Sequence, residues 1–285
     1  MTTRTPTGVI VPMITPFTAA GDVDAAAVGR IVEHLVAGGM DGLFLLGTTG
    51  ESASMTADQK RALVAAAVAA NRGRLGIYAG ISSNVLAEAL QAATDYAALG
   101  VDALFMLPPH FYPIPAEALE AWFRQVLDRA PLDVLLYNIP LTTHTSIPMA
   151  VVERLADHPR LLGLKESEPD LERLRAALAI AGRRPGFHVL AGTNKLFVDG
   201  LALGAHGIIP AAANLAPGVH RDLYRAVRAG QLEAVQQLTA AMGEVLARYT
   251  CPTLGESLAK LKALMAQRNL CEAHMLPPLR SWGAD

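Results

Sequence analysis

The 285 residues carry 24 basic and 26 acidic side chains, a formal net charge of -2 with both signs spread along the chain. That balance offers no basic face to a phosphate backbone and no polybasic anchor to anionic lipid, which argues against nucleic acid and membrane surfaces as partners. Hydrophobic residues at 52% against 18% charged give enough apolar surface for a large core, and the length suits a single α/β domain of the size that a closed barrel needs, roughly 250 residues.

From the amino terminus, the apolar stretch that follows Arg4 is interrupted by Pro12 and Pro16 and so lacks the continuous core of a signal peptide. No run reaches the ~18 apolar residues of a membrane span, and a soluble cytoplasmic protein is expected. Short apolar runs predict strands near 9–14, 42–46, 75–79, 102–107, 133–137, 161–165, 187–191 and 206–209. Between them lie segments of helical period. Thr56 and Gln59 have the spacing of a capping box opening a helix over 56–70. Asn84 is placed to cap the stripe Leu86, Ala89, Leu90, Ala93 and Ala97, and Pro115 suits a first helical turn.

Eight strands alternating with helices predict an α/β fold, a parallel (β/α)8 TIM barrel, with an open doubly wound sheet as the alternative. After residue 230 the strands stop, and 231–248 and 254–268 read as additional C-terminal helices with Pro252 and Gly255 forming the break. The organisation expected is a barrel over 1–230 and a helical appendage over 231–285 that packs on it without being an independent domain, since no Gly, Ser or Pro-rich linker separates them.

The active site of such a barrel lies at the C-terminal strand ends, so polar residues closing apolar runs are the candidates. Lys165 follows Leu161–Leu164. Burial there would lower its pKa and leave free amine able to attack a carbonyl, or the lysine could simply pair with Glu166. Tyr137 ends Val134–Leu136, where its phenol could relay a proton or serve only as packing. The turn Gly47–Glu51, reading GTTGE, combines two glycines with two hydroxyls and several N–H groups, which suits a carboxylate or a phosphate. Metal is not expected. Cys251 and Cys271 lack ligand spacing and fit a reduced compartment, and His110, His144, His188 and His206 form no close ligand pair. Neither GxSxG nor a helix-opening GxGxxG is present.

Taken in order, Val11–Phe17 (VPMITPF), Gly47–Glu51, Tyr137–Pro140 (YNIP), Gly163–Ser167 (GLKES) and Gly204–Pro210 (GAHGIIP) resemble the dihydrodipicolinate synthase/N-acetylneuraminate lyase family of Schiff-base pyruvate aldolases, and the resemblance covers nearly the whole chain. It implies that Lys165 forms a covalent imine and no separate cofactor is used. It further implies that Tyr137 relays protons and Thr48 positions that tyrosine. Thr49 and the adjoining amide of Gly50 would hold the carboxylate of a 2-oxo acid, with Ile209 beside the pyruvate moiety. The partners implied are a small 2-oxo acid and an aldehyde, and the assembly a homotetramer built as a dimer of dimers.

Two departures from the family pattern stand out. Where synthases carry an arginine after YN-x-P, this chain has Thr142, and where a tyrosine crosses a subunit contact it has Phe111, with Tyr112 next to it. Thr142 and Thr143 suit a hydroxylated aldehyde, as in a 2-oxo-3-deoxy sugar acid or a sialic-acid-like substrate, and Thr193, Asn194 and Lys195 could meet hydroxyls or a distal anion. The alternatives are 4-hydroxy-tetrahydrodipicolinate synthesis, a sugar-acid dehydration, or a barrel that only binds and senses a metabolite.

Overall fold

Each apolar run becomes a strand buried on both faces, with only Leu162 and His188 half-buried, as strands between a barrel interior and a ring of helices must be. The computed structural model describes residues 4–283. In chain order these form β1 (Gly8–Pro12), α1 (Ala25–Ala37), β2 (Gly42–Leu45), α2 (Ala57–Asn71), β3 (Gly76–Gly80), α3 (Leu86–Leu99), β4 (Ala103–Met106), α4 (Ala116–Arg129) and β5 (Val134–Asn138). There follow α5 (Pro140–Thr143), α6 (Met149–Leu155), β6 (Leu161–Glu166), α7 (Leu171–Arg183), β7 (His188–Ala191), α8 (Phe197–Ala202), β8 (Gly207–Ile208), α9 (Pro217–Arg228), α10 (Leu232–Ala247) and α11 (Leu254–Ala266). The strands close in sequence order, β1 to β8, into a parallel barrel, so the expected (β/α)8 fold is present and the open sheet is not.

Packing divides the described residues into two compact units. One joins the residues up to Gly8 with Tyr78–Ile209, and the other joins Val9–Ile77 with the residues from Pro210 onward. The first contains β4 to β8 and their helices; the second contains β2, α1, α2 and the C-terminal helices α9 to α11.

Local signals held where their partners are local. Thr56 and Gln59 make the capping box of α2, each side chain bonded to the other's backbone N–H. Asn84 does not cap α3: the helix starts at Leu86 after Val85, and the Asn84 side-chain oxygen Oδ1 instead accepts from His110 N at 3.0 Å. Pro115 stands just before α4, not within it. The last helix, α11, starts at Leu254 as expected, but Gly255 lies inside its first turn and not in the break, because Thr253 and Glu256 form a capping box.

One irregularity positions the site. The β5–β6 register steps between Val134↔Leu161 and Leu135↔Gly163, so Leu162 is an extra residue, after which Leu136↔Leu164, Tyr137↔Lys165 and Asn138↔Glu166 pair in line. Gly163 is required here, because a Cβ on it would lie 1.9 Å from the His188 carbonyl oxygen of β7.

Candidate active site

Residues paired across neighbouring strands point to the same face, and successive residues to opposite faces. Tyr137 and Lys165 therefore share one side of β5–β6, and Lys165 Nζ sits 3.6 Å from the centre of the Tyr137 ring. Both side chains are buried. Burial holds the Lys165 amine well below the ordinary lysine pKa, since a desolvated ammonium is costly.

Asn138 and Glu166 occupy the opposite side, toward α7. Glu166 is fully buried and takes hydrogen bonds from Asn138 Nδ2 (2.6 Å), Glu168 N (2.8 Å) and Arg173 Nη2 (3.0 Å). The ion pair considered for Lys165 thus joins Glu166 to Arg173 instead. Desolvation raises the Glu166 carboxyl pKa, against the pull of Arg173 and the donated hydrogen bonds. The same Asn138 accepts from Ile147 N at 2.9 Å, and Arg173 donates to Ile147 O at 3.0 Å, which fixes the segment after α5 against the strand pair.

In the second unit, the Gly47–Glu51 turn follows β2. Leu46 just before it and Glu51 at its end are left-handed at φ 59° and 58°, uncommon for residues with a side chain. Gly50 N–H donates to Gly47 O (3.1 Å) and Glu51 N–H to Thr48 O (3.2 Å), so these amides close the turn and are not aimed outward as the sequence reading had them. Gly50 contributes closeness: a Cβ there would lie 3.0 Å from Met13 O, and its carbonyl accepts from Thr15 Oγ1 at 2.7 Å. Thr49 is buried and Thr48 half-buried.

Of the remaining candidates, Ile209 is buried just after β8, with its N–H bonded to Ala191 O. Thr142 is half-buried in α5, its hydroxyl 3.4 Å from Ile139 O. Thr193 is half-buried, while Asn194 and Lys195 are exposed, in the turn after β7. Phe111 and Tyr112 are 76% and 72% exposed and stack edge-to-face at 5.0 Å. Among the described residues no cluster of His, Cys, Asp or Glu is arranged to hold a metal.

Gly192, beside Lys165 and Ser167, escaped the sequence reading. A Cβ on Gly192 would fall 2.0 Å from Ser167 Oγ and 3.0 Å from Lys165 Cε, so only glycine leaves both side chains their places. Ser167 Oγ is itself buried with no hydrogen-bond partner among the described residues. A glycine after a strand is too ordinary a signal to have marked this contact.

Comparison with known proteins gives a consistent picture. Residues 5–284 match the Dihydrodipicolinate synthetase family. The 4-hydroxy-tetrahydrodipicolinate synthase 1 of Streptomyces coelicolor is 34% identical over 94% of this chain and 87% of its own. The probable 2-dehydro-3-deoxy-D-pentonate aldolase YjhH of Escherichia coli is 30% identical over 95% and 91%. Among solved structures, the dihydrodipicolinate synthase of Bacteroides thetaiotaomicron superposes with a TM-score of 0.93 at 29% identity, covering 98% of this chain and 95% of the other. YagE of E. coli, a prophage protein of the dihydrodipicolinic acid synthase family solved in complex with pyruvate, gives 0.91 at 28%, covering 97% and 93%.

Proposed function

We propose, since this chain belongs to the dihydrodipicolinate synthetase family, that it makes or cleaves a 2-oxo acid from pyruvate and a hydroxylated aldehyde through an imine on Lys165. Its membership makes it a lyase of the aldolase kind. The observation that carries the residue assignment is the buried Lys165 amine, held below its ordinary pKa and set over the Tyr137 ring at 3.6 Å.

In the condensing direction the neutral amine adds to C2 of pyruvate, and loss of water leaves an iminium. Its positive nitrogen draws electrons from C3, which gives up a proton to become an enamine. Attack of that carbon on the aldehyde forms the new carbon–carbon bond, and hydrolysis returns Lys165. Tyr137 is the group beside the amine able to carry protons on and off these oxygens, with Thr48 orienting it. Thr49 and Ile209 are assigned to the pyruvate end by the family motifs that carry them, while Gly50, its amide spent within the turn, serves that end only by letting the turn close tightly.

The preference for a hydroxylated aldehyde rests on Thr142 and on the unpartnered Ser167 hydroxyl near Lys165, with Thr193 and Asn194 as further hydroxyl-binding candidates. Thr142 cannot offer a second substrate's carboxylate the bidentate charge-assisted pair an arginine gives. The competing reading, 4-hydroxy-tetrahydrodipicolinate synthesis, has the name of the Streptomyces relative in its favour. The exposed Phe111–Tyr112 pair supports assembly into a homotetramer through a contact at that edge, which sedimentation would disprove by finding only active monomer.

Reductive trapping with pyruvate and cyanoborohydride should label Lys165 and leave Lys60, Lys195, Lys260 and Lys262 unmodified. Catalytic efficiencies should then favour cleavage of 2-oxo-3-deoxy sugar acids over condensation with aspartate-semialdehyde by at least ~10-fold. An adduct elsewhere overturns the imine assignment, whereas a clear win for the semialdehyde overturns only the substrate.

A further inference from the structure

Glu51 ends the turn that carries Thr48 and Thr49, yet its side chain has no place in the chemistry above. It is 0% exposed, and so, to within 1%, is the side chain of Lys262 in the middle of α11. The two are hydrogen-bonded to each other through Glu51 Oε1. Glu51 Oε2 accepts from Leu276 N at 3.0 Å, and the Lys262 ammonium donates a second bond to His274 O at 2.9 Å while lying 4.6 Å from the centre of the Phe17 ring. Both carboxylate oxygens are thus held by the C-terminal segment, one by a helix and one by the backbone that follows it.

Such a pair is a poor device for stability alone, because desolvating two ions offsets most of their attraction and an apolar pair of similar volume does as well. What an ion pair with assigned oxygens supplies is direction. The backbone it directs needs holding, since Glu51 sits at φ 58° with its N–H closing the turn on Thr48 O at 3.2 Å.

We propose that Glu51 and Lys262 are positioning residues through which α11 and residues 274–276 hold the Gly47–Glu51 turn in the shape that grips the carboxylate of the 2-oxo acid. The C-terminal helices are on this view a working part of the substrate site. The proposal rests on the reading that this turn meets that carboxylate.

The test uses the full chain with Glu51→Leu and Lys262→Met together, which removes both charges and leaves neither stranded, beside Lys262→Met alone. Cyanoborohydride adduct formation at Lys165 is followed against concentration for pyruvate and for methyl pyruvate, whose ester lacks the anion. The double variant should raise the half-saturating pyruvate concentration by about 10-fold or more, the loss expected for weakened bonds to a charged group. Methyl pyruvate should move by no more than about twofold, and the adduct rate at saturation should hold. Equal shifts for acid and ester would mean a general loosening and overturn the proposal, as would an unchanged pyruvate response in a folded double variant. Should the unaltered protein fail to prefer pyruvate to its ester, the carboxylate reading itself falls and the proposal with it.

Discussion

Tyr137 and Lys165 face each other because each ends an apolar strand at the same level, and the chemistry assigned to Lys165 depends on what that ring and that burial do to an amine. Replacing Tyr137 by Phe keeps the ring under the nitrogen and removes only the hydroxyl. Turnover should fall by roughly 10²–10⁴-fold with the folded state intact, the range for loss of a placed proton carrier; near-normal steady-state rates in the variant would reduce Tyr137 to packing. Both residues were legible in the sequence, since a polar side chain closing an apolar run needs no knowledge of what lies opposite. Gly192 was not. Its closeness to Lys165 arises across β6 and β7, and only the register Glu166↔Ala191 brings it alongside Ser167.

At the level of elements, β5 and β6 divide their work by face, with Tyr137 and Lys165 on one side and Asn138, Glu166 and Arg173 on the other. Removing Arg173 by Arg173→Ala would leave the wholly buried Glu166 without its cation. A loss of about 3–5 kcal/mol is expected from breaking one side of such a pair, measured as a lower denaturant midpoint at unchanged slope. A variant as stable as the parent would show that Asn138 and the Glu168 amide suffice for Glu166. The sequence revealed these elements well where the determining partner is near in the chain, as in the Thr56–Gln59 box. It misread Asn84 because the winning acceptor contact, with His110 N, lies 26 residues away and competes with the cap.

For the whole molecule, acid should be the destabilising direction over one defined window. Burial, helped by the neighbouring charges of His206 and Arg184, lowers His188 from 6.5 to about 4, and burial lowers His34 and His220 as well. An unfolded chain takes up protons near pH 6.5 that the folded imidazoles refuse, so their stabilisation is complete above that pH and is lost progressively as pH falls toward 4. Glu166, raised by burial, works in the opposite sense at the acid end. Denaturant midpoints should therefore be lower at pH 5 than at pH 7.5; equal midpoints would mean that these imidazoles are not kept neutral. The eight strands were readable from alternation, which left an open doubly wound sheet beside the barrel until the strand pairing decided for closure. The tie from Glu51 to Lys262 was not, as it spans 211 residues and joins two side chains whose local patterns give no hint of each other.

The extra residue at Leu162 has a consequence for how the length of this chain can change. Upstream of it β6 is in step with β5 at Leu161, and downstream the ladder restarts at Gly163. Deleting Leu162 would close the ladder with Gly163 still opposite Leu135 and Lys165 beside Tyr137, whereas deleting Gly163 or Leu164 closes it by the same count but puts Leu162 in the glycine's place, where a Cβ meets the His188 carbonyl oxygen. Leu162 is therefore the residue between Leu161 and Lys165 whose codon can be lost without driving a side chain into the β7 backbone.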